Sequence, residues 1–287
     1  MRVRTQAMVA AGVALAAVAA FGVYLGSREI VGKLPLPSAV RGCTVEADGR
    51  VNLNPEQMAN AATIAAIGAK RKMPEQAVVV ALATAFQESR LENLAGGDRD
   101  SVGLFQQRPS QGWGTPEKIR DPRYAADKFY AALKKVKGWE QMRVTDAAQR
   151  VQRSAFPEAY EKWADESAVL TRALLGNATG AVACTVGDEP LLRGAAAATA
   201  LTTGLNLDWG KLQTTVPAEL TGLAVPAASV QTGWRYAHWL VSHAGDNGVK
   251  RVSFENLQWT ADEGSWHPIT DGSANSALVV AEVYAEG

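Results

Sequence analysis

In this 287-residue chain the residue type and position best suited to chemistry is Glu88. It closes the run Val78-Val79-Val80-Ala81-Leu82-Ala83-Thr84-Ala85-Phe86, which is apolar on every side of a helix. A helix without a polar face must be buried all round. A carboxyl group at the C-terminal end of such a helix loses its water and meets the partial negative charge of the helix end, and both effects favour the protonated form. A carboxylic acid held protonated near neutrality can donate to a leaving oxygen, as cleavage of a glycosidic bond requires. The following residues supply material for a groove: a Gly- and Asp-rich turn over 95–101, then Gln106 and Gln107, then Trp113. Glutamine amides can bond acetamido and hydroxyl groups, and an indole offers an apolar face to a sugar ring.

A second carboxylate would favour a hydrolytic route, with a base or nucleophile opposite the acid. Asp98 and Asp100 are the candidates, although Asp in a Gly-rich turn commonly bonds its own backbone. Ser89 reads as a helix-end hydrogen bonder, since no GxSxG and no histidine lies near it. Glu88 also has a purely structural reading, paired with Arg90 or another arginine in a fold that has shed its chemistry. The three histidines, His238, His243 and His267, all lie in the last third of the chain. On a helix His238 and His243 would diverge by about 140°, which does not suit a metal site, so neither metal nor cofactor is expected.

The elements that must position these residues follow from caps and periodicity. Asn54-Pro55-Glu56 opens a helix that runs to about Lys72. Pro74-Glu75 opens the apolar helix that ends at Glu88. Further helices are expected over 121–137, 145–154 and 157–176. Beyond Cys184 the composition turns to Ala, Thr, Gly and Pro, a linker with one short helix. A helix over 234–244 and strands over 250–254, 257–260 and 277–284 then make a small α+β pattern. Trp234, Trp239, Trp259 and Trp266 are four of the eight tryptophans and are expected to form its core.

Phe86-Gln87-Glu88-Ser89, followed by Ser101-Val102-Gly103-Leu104-Phe105-Gln106, resembles the Glu-Ser … Gly-Leu-Met-Gln signature of soluble lytic transglycosylases and goose-type lysozymes. The likeness covers about residues 52–178. It implies a lysozyme-like α fold, Glu88 as general acid and then base, and Gln106 lining the groove. Ser89, Ser101, Gln106, Gln107, Trp113 and Gln152 form the candidate substrate-binding set. The family's later Ala-Tyr-Asn-Ala-Gly segment has no match in Ala148–Phe156, so Gln152 or Tyr160 would have to serve in its place. Without a catalytic Asp, the resemblance implies that the sugar's own N-acetyl group acts as nucleophile and leaves an anhydro-muramic product. The arrangement as a whole also resembles membrane-anchored cell-envelope proteins of actinobacteria.

The compartment follows from the N-terminus and the cysteines. Arg2 and Arg4 precede the uncharged apolar run Ala7–Leu25, 19 residues long. That length suits a single span with the N-terminus inside, and a cleaved signal is the alternative. Both readings export the chain. In an exported protein a lone cysteine pair without CxxC, here Cys43 and Cys184, reads as a disulfide. Acidic and basic residues balance at 29 each, but residues 186–287 carry a net −6, which argues against nucleic-acid binding there.

The expected fold class is therefore mainly α. A transmembrane helix or signal sequence (1–27) and a stem (28–42) precede a lysozyme-like helical domain with a small β-hairpin (43–185). A linker (186–230) and a small α+β accessory module (231–287) follow. The expected activity is cleavage of peptidoglycan glycan strands, with the membrane as a second partner and an envelope protein as a partner of the accessory module. The alternative is a non-catalytic envelope module that binds peptidoglycan or a protein through the same groove.

Overall fold

The computed structural model describes residues 41–187, 190–217 and 220–286. The expected anchor and all but the last two residues of the expected stem lie outside the described residues. Among the described residues no helix is long and apolar enough to cross a membrane.

Strands β1 (Gly42–Glu46) and β2 (Arg50–Leu53) form a hairpin, closed by a turn with Asp48 in the left-handed region. Helix α1 (Pro55–Lys70) then starts at a full capping box. The Asn54 side chain accepts from the Gln57 amide, and the Gln57 side chain accepts from the Asn54 amide. Helix α2 (Glu75–Ser89) follows, with Val78, Ala81, Leu82 and Ala85 wholly removed from solvent. It is enclosed by α1, α4 (Pro122–Leu133), α5 (Val144–Gln152) and α6 (Ala164–Leu174), with the short α3 (Pro116–Ile119) ahead of α4. The all-round apolar surface of α2 thus finds the all-round burial it requires.

The expectation of a mainly α chain, with one small β-hairpin in its helical domain, a turn or hairpin at 95–101 and a small α+β module at its end, is overturned. The described residues form two antiparallel sheets, of three and five strands. No strand forms at 95–101; the Gly103 amide donates to the Leu94 carbonyl across this loop, and the isolated bridge Val102–Gln107 closes the turn that follows it. The first sheet instead joins β1 and β2 to β3 (Val182–Thr185), which returns from the far end of the helical region. These strands have four or five residues each, too few to show a period of two. Cys43 and Cys184 face one another in the β1–β3 register, and their side chains form the disulfide.

The segment expected as a linker is largely ordered structure. Helix α7 (Gly194–Trp209) packs on α1, and β4 (Gly222–Pro226) is the edge of a sheet ordered β4-β8-β5-β6-β7. The other strands are β5 (Val249–Glu255), β6 (Leu257–Thr260), β7 (Trp266–Pro268) and β8 (Asn275–Val283). Helix α8 (Val230–Ser242) lies on this sheet and also against α1, α6 and β3; the short α9 (Ala244–Asn247) follows it. Trp234, Trp239 and Trp259 are all buried around it.

One buried histidine shows how closely these parts are joined. His238 Nε2 accepts from the Ala181 amide at 2.9 Å, and Nδ1 lies 2.8 Å from the Ala173 carbonyl. Since Nε2 is the acceptor, the proton sits on Nδ1. Burial holds the pKa of this ring down at about 4, so it stays neutral and bonds both ways. A second tie is the buried Asp208 carboxylate of α7, which accepts from Trp239 Nε1 at 2.7 Å and Thr63 Oγ1 at 3.2 Å, and from Arg123 Nε. Residues 41–287 accordingly form one compact unit.

Candidate active site

Glu88 occupies the last turn of α2, and Arg90 behind it caps the helix in the left-handed conformation. The carboxyl group is half-buried at the end of a cleft of about 550 Å³. Burial raises its pKa, and hydrogen bonds from the Tyr160 and Gln152 side chains oppose that rise without cancelling it. Tyr160 Oη donates to Glu88 Oε1 at 2.7 Å. Among the described residues no ion pair includes Glu88. Arg90, its expected structural partner, instead stacks over the Trp163 ring at 4.4 Å. Trp163 in turn stacks on Phe86 and donates to Gln87, which braces the end of α2.

The segment after α2 forms one side of the cleft. Ser101 Oγ donates to the Asp98 carbonyl at 2.6 Å and lies 3.2 Å from Gln106 Oε1. Gln106 has φ 45° and donates through Nε2 to the Gly103 carbonyl. The tight path requires glycine at Gly103, and Gly97 leaves room for the Gln106 amide. A Cβ at Gly97 would lie 1.7 Å from Gln106 Oε1, and Gly103 has φ +76° with its Cβ position 2.8 Å from the Ile119 carbonyl. Gln107 is 2 % exposed and donates to the Ala125 carbonyl, which ties this segment to α4. The opposite side comes from the end of α5 and the loop beyond it. Gln152 Nε2 donates to the Phe105 carbonyl at 2.8 Å, and Gln149 makes two bonds to the Ser154 backbone that pin the turn.

Glu88, Ser101, Gln106, Gln107, Trp113 and Gln152 therefore line one cleft, though they span 65 positions from first to last. Ser89 does not join them. It is buried, with Oγ 2.8 Å from the Leu104 carbonyl and 3.1 Å from the Ala85 carbonyl, so it fastens the helix end to the segment behind it.

No protein-family model matches this chain, and no curated protein matches it. The reading of the site therefore rests on its own chemistry.

The two candidate second carboxylates separate clearly. Asp100 accepts from the Ser110 amide at 2.7 Å, Ser110 Oγ at 3.0 Å and Arg108 Nε at 3.0 Å, and these bonds push its pKa well below the usual carboxylate range. It is a turn-holding anion. Asp98 lines the cleft, but its side chain is 90 % exposed, and among the described residues its ion-pair partner is Arg99, at 3.9 Å. Nothing fixes it opposite Glu88.

Sequence reading placed Tyr160 no higher than a substitute, and it did not single out Arg153 or Phe156. Phe156 is 73 % exposed and lines the cleft that Trp113 also lines. Its signal was an aromatic residue just before Pro157 in a loop, where no core could claim it. Arg153 carried a weaker one, an arginine directly after the last turn of α5.

Proposed function

We propose that the cleft cleaves the β-1,4 bonds of peptidoglycan glycan strands, with Glu88 as general acid and then general base. The observation that carries this reading is the half-buried Glu88 carboxyl, raised in pKa, bonded by a phenol and open to a cleft. In the first step the Glu88 carboxyl donates its proton to the glycosidic oxygen, the C1–O bond breaks, and positive charge develops at C1. Among the described residues no second carboxylate is fixed across the cleft, so the carbonyl oxygen of the sugar's 2-acetamido group attacks C1 and forms a cyclic oxazolinium. The Glu88 carboxylate then accepts the proton of the C6 hydroxyl as that oxygen attacks C1, which opens the ring and leaves a 1,6-anhydro sugar. Attack by water instead would leave a reducing end. The Tyr160 bond stabilises the carboxylate that exists between the two proton transfers. Trp113 and Phe156 offer apolar faces to sugar rings, and Gln106 offers an amide to their substituents.

The disulfide suggests an oxidising, extracytoplasmic compartment, where this substrate lies. The apolar run Ala7–Leu25 would direct export, either as a retained single-pass anchor with the N-terminus inside or as a cleaved signal.

The test is digestion of purified peptidoglycan by the full chain beside Glu88→Gln, with mass analysis of the released fragments. Anhydro-muropeptides that vanish in the variant support the transglycosylase route, and reducing ends support hydrolysis. If neither protein releases fragments but both retain glycan binding, the enzyme reading fails and a binding module remains.

A further inference from the structure

A second pocket, of about 790 Å³, adjoins the Glu88 cleft; Gln111, Trp113, Gln152 and Arg153 line both. Its walls come from α4 and α5, the turns that follow each, and residues 111–113. Four cationic residues line it, Lys128, Lys135, Arg150 and Arg153, and no carboxylate does. The chain as a whole is neutral, so this is a local concentration of charge and not a reflection of composition. Among the described residues, no ion pair includes Lys135 or Arg153. Lys128 Nζ lies 5.1 Å over the Tyr124 ring, which leaves its charge uncancelled. The carboxylate that Arg150 senses, Asp146, is itself held by Arg143. Ala131, Ala132, Val136 and Val151 lie between these charges and give the pocket a small-residue apolar floor.

A concave site lined by one sign of charge concentrates ions of the opposite sign. An apolar floor beneath a cationic rim suits a short branch with small apolar side chains and free carboxylates better than a bare phosphate. We propose that this pocket binds a carboxylate-bearing peptide branch of the glycan strand whose sugars occupy the Glu88 cleft. The proposal rests on the reading of that cleft as a glycan site. It makes the protein selective for strands that still carry their peptides, because the branch and the scissile bond are held on either side of Trp113 and Gln152.

The experiment measures binding by the full-length Glu88→Gln protein, so that no turnover complicates it. Three ligands are compared: strand fragments with peptide branches, the same fragments after enzymatic removal of the branches, and a neutral chito-oligosaccharide of equal length. Each is measured again with Lys128→Gln and Lys135→Gln added; both lysines are exposed, and neither lines the Glu88 cleft. The branched fragment is expected to bind about tenfold more tightly than the stripped one at low salt. That advantage should vanish in the lysine variant and fade at about 0.5 M salt, with the stripped fragment bound as before. Equal affinity with and without branches, or equal weakening of both ligands in the variant, overturns the proposal. Binding that persists without cleavage by the wild-type chain defeats the enzyme reading alone and leaves this comparison intact. Failure to bind any of the glycans defeats the glycan reading and the branch pocket with it.

Discussion

The phenol of Tyr160 donates a 2.7 Å hydrogen bond to Oε1 of Glu88, from a residue 72 positions further along the chain. Burial, and then the neighbouring Glu88 charge, hold the Tyr160 hydroxyl far above the ordinary phenol range, so it remains a donor at every working pH. Its bond favours the charged form of Glu88, while burial favours the neutral form and wins. The carboxyl thereby holds its proton to higher pH than an ordinary glutamate, and its charged form keeps a hydrogen-bond donor.

Removal of that hydroxyl tests the balance. Tyr160→Phe leaves burial unopposed at this oxygen, so the Glu88 pKa rises further. The alkaline limb of the pH–rate profile should move to higher pH, since Glu88 keeps its proton longer. The maximal rate should fall about tenfold or more, because the carboxylate formed after proton donation has lost a charged hydrogen bond. A profile that keeps its limb in place would show that this bond does not tune Glu88.

A raised carboxyl pKa costs stability at neutral pH. The native state binds more protons than the unfolded chain between the ordinary Glu value of 4.5 and the raised one, so this group's contribution falls as pH rises through that window. Glu88→Gln removes the penalty. Its thermal midpoint relative to wild type should therefore rise from pH 4 to pH 7, as read by paired melts across that range. A variant that loses relative stability with pH would contradict the environment described for Glu88.

The roles of the two carboxylates at the cleft should differ by orders of magnitude. Glu88→Gln is expected to lower cleavage about 100-fold or more, in line with loss of a general acid. Asp98→Asn should change it by less than about threefold, because an exposed, unfixed carboxylate gives little orientation to a reaction. A loss with Asp98→Asn as large as that with Glu88→Gln would favour a hydrolytic mechanism with Asp98 as the second group.

The Cys43–Cys184 bond spans 141 positions. In the chain-entropy model a closure of this length stabilises by about 5 kcal/mol as an upper figure. Cys43→Ser with Cys184→Ser, or reduction under denaturing challenge, should lower the melting midpoint by about 10–15 °C. A shift of only a degree or two would mean that the β1–β3 pairing holds these ends without the crosslink.

Asp208 is fully buried and shared by Arg123, Trp239 and Thr63. Asp208→Ala strands the Arg123 guanidinium and the Trp239 indole N–H, which should cost about 3–5 kcal/mol in a urea titration. If α7 were a mere linker helix, the same substitution would cost far less and would leave the denaturant midpoint of the first sheet and α2 unchanged.

What the amino-acid sequence determined by itself was local. The run Val78–Phe86 has no polar face, so burial of α2 and the position of Glu88 at its end followed from period alone. Asn54 and Pro55 marked the start of α1, and a lone cysteine pair behind an apolar N-terminus marked a disulfide. Only the tertiary structure decided what surrounds Glu88. Tyr160 and Gln152 reach it because α5 and the loop beyond it pack across the end of α2, and no spacing in the chain encodes that approach. The first sheet was hidden for a related reason: its four- and five-residue strands carry too few alternations to be read, and β1 pairs with β3 across the whole helical region that separates them in the chain. The same holds for His238, an isolated polar residue on an apolar helix whose two partners come from α6 and from the residue ahead of β3. Periodicity reports which side of an element is buried; it carries no information about which distant element buries it, and the cleft is made of such distant pairings.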